Sequence, residues 1–270
     1  MSCTRPTPGW VTEDGTITFK ARGPITEADH MIPCGKCDGC HAERRRDWAI
    51  RMYHEAQYHD QNSFITLTYD DEHCPEKISV EHLQAFLARL RKKEKVRYFI
   101  TGEYGEKTHR PHYHAIVFGT DFRGGRFTYD IDGRMWGNKL LDRTWSMGNV
   151  TVGDFTLGSA MYTAGYVSKK IDDRDTFSIM SRNPPIGWQW AYDNQEQLRR
   201  LEFVVCEGTK LPIPKVYFDW GEETKHRPGE VDLDCVKGNR QMHTKTLWEE
   251  ELRSKEINYS AMRKMREEKI

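Results

Sequence analysis

The sequence predicts an α+β protein built on antiparallel strands, and three observations predict it. Residues 64–69, Phe-Ile-Thr-Leu-Thr-Tyr, are β-branched or aromatic throughout and run into Asp70-Asp71, a turn signal; this is the pattern of a central strand. Residues 96–101 and 112–118 are two further strand-like runs joined by a short polar turn, the arrangement of an antiparallel hairpin. Between the first strand and the hairpin, Leu83, Phe86, Leu87 and Leu90 recur at helical spacing and form one apolar stripe.

The bulk properties narrow the class. A chain of 270 residues is long enough for a large core domain with an appendage. Hydrophobic residues make up 37% and charged residues 30%, so the surface is polar. No run approaches the roughly 20 apolar residues of a membrane span, and residues 1–6 lack the apolar centre of a signal peptide. The expectation is a cytosolic protein with no membrane partner. Lys+Arg and Asp+Glu balance at 41 each, which argues against indiscriminate coating of nucleic acid but leaves room for a local basic groove. No G-x4-G-K-[ST] is present, so no nucleotide cofactor and no helicase activity is expected.

Taken in order, residues 1–33 are irregular, with one short strand expected at 16–19. Cys34-x2-Cys37-x2-Cys40 then places three of the seven cysteines within seven residues. In a reducing compartment this spacing argues for a structural metal, zinc first, rather than disulfides. Cys3 is the natural fourth ligand, because it would tie down the N-terminus; His41 is second. An iron–sulfur cluster with this run would place a Cys-Pro three residues on, whereas Cys74-Pro75 is far downstream. A helix over 41–59 follows, with Ala49, Met52, Tyr53 and Ala56 on one face. Arg44, Arg45, Arg46 and Arg51 are then candidates for contacts with a DNA backbone, or the solvated side of an ordinary helix. Ser79 caps a helix to about Lys95, whose basic end suits the helix dipole.

The hairpin carries the chemistry. His112 and His114, at i and i+2, point to one face of their strand together with Ile116 and Phe118; Tyr113, Ala115 and Val117 take the other. Two imidazoles side by side can hold one divalent ion with positions left open. Glu103, near the end of the preceding strand, lies beside them and can complete a set of three ligands. Residues 148–153 alternate as another strand, and Ser159 is expected to cap a helix over 160–171. On it Tyr162 and Tyr166 share a face at i and i+4, Lys170 continues that face and Lys169 flanks it. Two phenols on one face are ordinary packing in most helices; beside a metal they are candidate nucleophiles. Beyond 171, residues 194–203 read as helix or mixed structure, 211–217 as extended, and 248–268 as a charged surface helix.

The strand at 64–69, His112-Tyr-His114 and Tyr162-x3-Tyr166-x2-Lys169, in this order, resemble the three motifs of the HUH endonuclease superfamily of rolling-circle initiators. The cysteine knuckle, Asp47-Trp48-Ala49, the 101–105 segment and the strand before Gly153 narrow the resemblance to the replication initiators of gokushovirus-type microviruses. The resemblance implies the HUH endonuclease fold, a five-stranded antiparallel sheet with the histidines on a central strand and the tyrosines on an adjacent helix. It implies nicking of one strand of origin DNA, single-stranded or duplex, through a 5′-phosphotyrosine, and later rejoining. Mg2+ or Mn2+ would sit at His112, His114 and Glu103, Zn2+ at Cys34, Cys37, Cys40 and Cys3, and Tyr162, Tyr166, Lys169 and Lys170 would be catalytic. The expected partners are a host helicase and polymerase, in the cytoplasm of an infected bacterium. The expected organisation is a knuckle and basic helix over 1–60, a nuclease domain over 61–220 and a polar extension over 221–270. The competing reading is a non-catalytic, zinc-stabilised DNA-binding protein.

Overall fold

The computed structural model describes residues 3–20, 28–105, 108–124, 126–128, 135–168 and 176–223. The described chain divides into two compact units, one up to Arg44 and the other from Arg45. The first unit holds a small antiparallel sheet of β1 (Thr7–Val11), β2 (Ile17–Thr18) and β3 (His30–Ile32) in the order β2-β1-β3. Of these only β2 falls within the strand expected at 16–19. The first turn of α1 (Asp38–Ala56) carries Cys40 in the same unit.

The second unit is organised by one sheet. Its strands are β4 (Asn62–Thr68), β5 (Arg97–Tyr104), β6 (Pro111–Phe118), β7 (Arg126–Thr128), β8 (Trp136–Asn138), β9 (Val150–Asp154) and β10 (Phe177–Met180). They lie in the order β10-β5-β6-β4-β9-β8-β7, and every neighbouring pair is antiparallel. Among the described residues the sheet therefore has seven strands rather than five. The additional pair, β7 and β8, has three residues in each strand, too few for an alternating pattern to be read.

Alternation along β6 fixes what covers each face. Tyr113, Ala115 and Val117 join a core with Leu83, Phe86, Leu87 and Leu90 of α2 (Val80–Arg91) and Leu141 and Trp145 of α3 (Lys139–Trp145). Ile116 and Phe118 face the other way, toward Ala49, Met52 and Ala56 of α1 and Ala160 and Ala164 of α4 (Leu157–Gly165). Ser79 caps α2 as expected, its hydroxyl accepting from His82 N at 3.2 Å, but the helix stops at Arg91. Gly148 sits at φ +141°, where a Cβ would lie 2.3 Å from Thr68 O, so the close approach to the end of β4 admits only glycine.

α1 is buried on two sides. Its Ile50 and His54 pack into a third cluster with Trp190 of α5 (Trp188–Asp193), Leu198 of α6 (Gln195–Arg200), Val204 and Cys206 of β11 (Phe203–Cys206) and Tyr217 of α7 (Lys215–Glu223). β11 pairs antiparallel with β12 (Thr209–Pro212). Two local expectations are corrected. The extended reading of 211–217 ends at Pro212, because α7 begins at Lys215. The helix read over 194–203 is preceded by α5, whose aromatic run Trp188-Gln-Trp-Ala-Tyr carries no charge at helical spacing. The helix expected at 248–268 lies outside the described residues.

Candidate active site

Strand pairing brings the hairpin residues together. Glu103 on β5 pairs directly with His112 on β6, and His114 pairs with Thr101 on one side and Thr66 of β4 on the other. Side chains directly opposite in an antiparallel ladder share a face, so Glu103 meets both imidazoles. Its Oε1 lies 2.8 Å from His112 Nε2 and 2.8 Å from His114 Nε2. His114 and Glu103 are buried and His112 is half-buried.

This arrangement fixes the electrostatics. Burial pushes the Glu103 pKa up, but hydrogen bonds from both imidazoles outweigh it and bring the carboxyl down to about 2. Burial holds His114 below the ordinary histidine value despite Glu103 beside it. The ring orientations are fixed from behind. His112 Nδ1 donates to Arg110 O at 3.2 Å, and His114 Nδ1 lies 3.0 Å from Thr66 Oγ1. Both Nε2 atoms are thereby aimed at Glu103.

The donor set suits a divalent cation. The ligand atoms of Glu103, His112 and His114 all lie within 4.8 Å of one another. Adjacent ligands around an octahedral ion at about 2.1 Å are about 3 Å apart, close to the separations of 2.8 Å seen here. Two imidazoles and one carboxylate leave the remaining positions for water or a phosphate oxygen.

α4 places the tyrosines over this group. Its N-cap is Thr156, not Ser159: Thr156 Oγ1 accepts from Ser159 N at 3.0 Å, and Ser159 Oγ accepts from Thr156 N at 2.9 Å. This reciprocal capping box starts the helix three residues earlier than expected. It also ends earlier: α4 stops at Gly165, and Tyr166–Ser168 form a 3-10 turn. Tyr162 and Tyr166 still meet, with ring centroids 5.1 Å apart. Tyr162 is exposed, at 44%, and its hydroxyl lies 3.5 Å from His114 Nε2. Tyr166 is half-buried and lies nearly flat on His114, at 5.2 Å and 18°. Burial, and then the neighbouring Tyr162 and Glu103, raise the Tyr166 pKa. Lys169 and Lys170 lie outside the described residues.

The arginines of α1 divide. Arg44 Nη2 donates to Gly35 O at 3.3 Å, and Arg46 lies 3.4 Å from Asp47 Oδ1. Arg45 donates from Nε to Met161 O at 2.7 Å, immediately before Tyr162. Arg51 does not project as expected: its guanidinium sits 3.7 Å over the Trp48 ring and donates to Ile186 O at 3.0 Å. Burial draws the Arg51 pKa down to about 10.

In the first unit the four sulfurs of Cys3, Cys34, Cys37 and Cys40 also lie within 4.8 Å of one another. Cys3 supplies the fourth sulfur, and His41 is not in this group. Cys34 and Cys40 sulfurs are 4.0 Å apart and those of Cys3 and Cys37 3.8 Å. Thiolates at about 2.3 Å around a tetrahedral zinc are separated by about 3.8 Å, so the cage fits that ion. Burial pushes the Cys40 thiol up to about 12, while the backbone and side chain of Thr4 outweigh burial at Cys37 and draw it down to about 6. Such opposed shifts are those of crowded thiols, which a cation would relieve.

Two contributors to the site carry no sequence signal: the Thr66 hydroxyl and the Arg110 carbonyl. Thr66 belongs to a strand separated from His114 by 48 positions, so only the register reveals the contact.

Comparison with known proteins gives a consistent set. A family model for replication-associated proteins of the ORF2 class matches residues 62–171, which include β4, β5, β6 and α4. The chain is 34% identical over 242 residues to replication-associated protein VP4 of Bdellovibrio phage phiMH2K, covering 82% of this chain and 77% of the relative. It is 29% identical over 290 residues to replication-associated protein ORF2 of Spiroplasma virus 4, covering 93% and 90%. It is 29% identical over 241 residues to replication-associated protein ORF4 of Chlamydia phage 1, covering 80% and 60%. No solved structure matches the chain.

Proposed function

The chain belongs to the family of phage replication-associated proteins of gokushovirus type, and from that premise we propose that it initiates rolling-circle replication by nicking origin DNA and rejoining the ends. One observation carries the reading: a phenol, Tyr162, stands 3.5 Å from an imidazole that shares Glu103 with a second imidazole. The core would then be an HUH endonuclease domain, flanked by the cysteine knuckle and a polar C-terminal extension.

A divalent cation, Mg2+ or Mn2+, held by Glu103, His112 and His114, would polarise a non-bridging oxygen of the scissile phosphate. Tyr162 attacks the phosphorus. The bond from its phenol oxygen to phosphorus forms, the bond from phosphorus to the 3′-oxygen breaks, and the phenol proton is balanced by the proton taken up at the 3′-oxygen. A 5′-phosphotyrosine and a free 3′-OH result. Tyr162 leads because its ring is exposed, whereas Tyr166 lies against His114. Tyr166 then serves the second transesterification, which rejoins ends without release of the strand. Lys169 or Lys170 steadies the charge on the pentavalent phosphorus. Arg44 and Arg46 contact the DNA backbone, and the four cysteines hold Zn2+. A host polymerase extends the 3′-OH and a host helicase opens the duplex, in the bacterial cytoplasm.

The test is cleavage of an origin-containing oligonucleotide with and without Mn2+. We expect metal-dependent nicking that His112→Ala and His114→Ala each abolish. DNA binding with no cleavage, indifferent to Mn2+ and to both substitutions, would instead establish a zinc-stabilised binding protein.

A further inference from the structure

We propose that Thr66 is a positioning residue for the cation site, acting through His114. The inference rests on the proposed cation site at Glu103, His112 and His114. The two imidazoles are held from behind by different means. His112 Nδ1 donates to a backbone carbonyl, Arg110 O, at 3.2 Å. That partner is fixed by the hairpin, which pairs Tyr104 with Pro111 and bonds Gly105 N to Arg110 O at 2.9 Å. At His114 the partner is a side chain instead. Its Nδ1 lies 3.0 Å from the Thr66 hydroxyl, on the neighbouring strand β4. Register makes this contact obligatory, because Thr66 and His114 are paired directly across the β4–β6 ladder.

Geometry leaves the ring little else to fix its rotation. Phe64 stacks against His114 at 5.8 Å and 12°, and Tyr166 at 5.2 Å and 18°. Stacked rings hold the plane of an imidazole but not which nitrogen points where. The hydroxyl supplies that information. It is also chemically suited to both states of the site. Glu103 is ionised, and a carboxylate only accepts hydrogen bonds. In this structure it lies 2.8 Å from His114 Nε2, which therefore donates to it, leaving Nδ1 of a neutral ring to accept from Thr66. A ring that instead gives its Nε2 lone pair to a cation carries its proton on Nδ1 and donates to Thr66. A threonine hydroxyl does either by rotating; a backbone carbonyl could serve only the second arrangement.

The experiment compares Thr66→Val, which keeps the β-branched shape and removes the hydroxyl, with Thr66→Ser, which keeps the hydroxyl. Titration calorimetry with Mn2+ on the full chain reads the affinity directly. Thr68→Val is the neighbouring control, since Thr68 faces the same way but donates to Asn149 O at 3.0 Å. Removing a partner that orients a ligating histidine costs roughly 10- to 100-fold in metal affinity. We expect a loss in that range for Thr66→Val, recovery with Thr66→Ser, and wild-type affinity for Thr68→Val. The 15N chemical shifts of His114 in the metal-free protein give a second readout: Thr66→Val shifts Nδ1 while His112 is unchanged. Wild-type Mn2+ affinity and unchanged His114 shifts in a folded Thr66→Val protein would overturn the inference while leaving the cation site standing. Absence of His112-dependent Mn2+ binding by the wild type would overturn the site itself.

Discussion

At the scale of single residues, a small number of buried polar groups set the behaviour. Tyr162 and Tyr166 are not equivalent, and their difference is testable. Tyr162→Phe is expected to abolish the first covalent adduct, while Tyr166→Phe leaves it and blocks rejoining; gel separation of adduct and rejoined circles reads both, and first adducts persisting in Tyr162→Phe would reverse the order. His54 makes a separate prediction about stability. Its Nδ1 is 2.9 Å from the Tyr217 hydroxyl and its ring stacks on Trp190 at 3.6 Å. Burial lowers its pKa from 6.5 to about 3. The folded state thus refuses a proton that the unfolded state binds. The associated stability is fully present above the unfolded pKa, falls as the pH drops below it, and stops falling near the folded pKa. The slope over that window is about 1.4 kcal/mol per pH unit. Urea titrations between pH 7 and pH 4 are expected to show this slope in the wild type and a shallower one in His54→Gln.

Secondary-structure elements explain which parts are legible in the sequence. The strand at 64–69, the hairpin and the apolar stripe of α2 show themselves through alternation or helical spacing, and Glu103, His112 and His114 follow from the hairpin alone. The approach of the Cys3 sulfur to that of Cys37 is legible too, because Cys3 is the available thiol that can tie the N-terminus to the knuckle. What is not legible depends on long-range contacts. Arg51 looks like a surface charge until Trp48 and Trp220 are seen beside it. The start of α4 is ambiguous in sequence because Thr156 and Ser159 are both good caps and only the reciprocal bond decides between them. That cap holds the helix bearing Tyr162. Thr156→Ala is expected to cost about 1 kcal/mol in urea unfolding and to slow adduct formation. The Arg45 bond to Met161 O secures the same helix from the α1 side, and Arg45→Ala is expected to cost about 1.5–3 kcal/mol. Unchanged stability in both variants would show that α4 is held by packing alone.

Across the whole molecule, two ion-ready groups of opposite chemistry are built into separate units. Four soft sulfurs form a closed cage in one, and two imidazoles with one carboxylate form an open set in the other. The account expects about one zinc per chain, retained in a chelator that strips Mg2+ or Mn2+ and lost in Cys3→Ser, as read by elemental analysis. A tightly held zinc that survives Cys3→Ser would remove Cys3 from the cage. The central claim, however, concerns the open site. It is tested most directly by incubating the protein with origin-containing single-stranded phage DNA and Mn2+, digesting both components, and sequencing the adducted peptide by mass spectrometry. The account predicts a nucleotide 5′-phosphate joined to Tyr162, absent without the cation and absent in His114→Ala. Cleavage with no protein adduct, or an adduct on a residue other than Tyr162 or Tyr166, would contradict it.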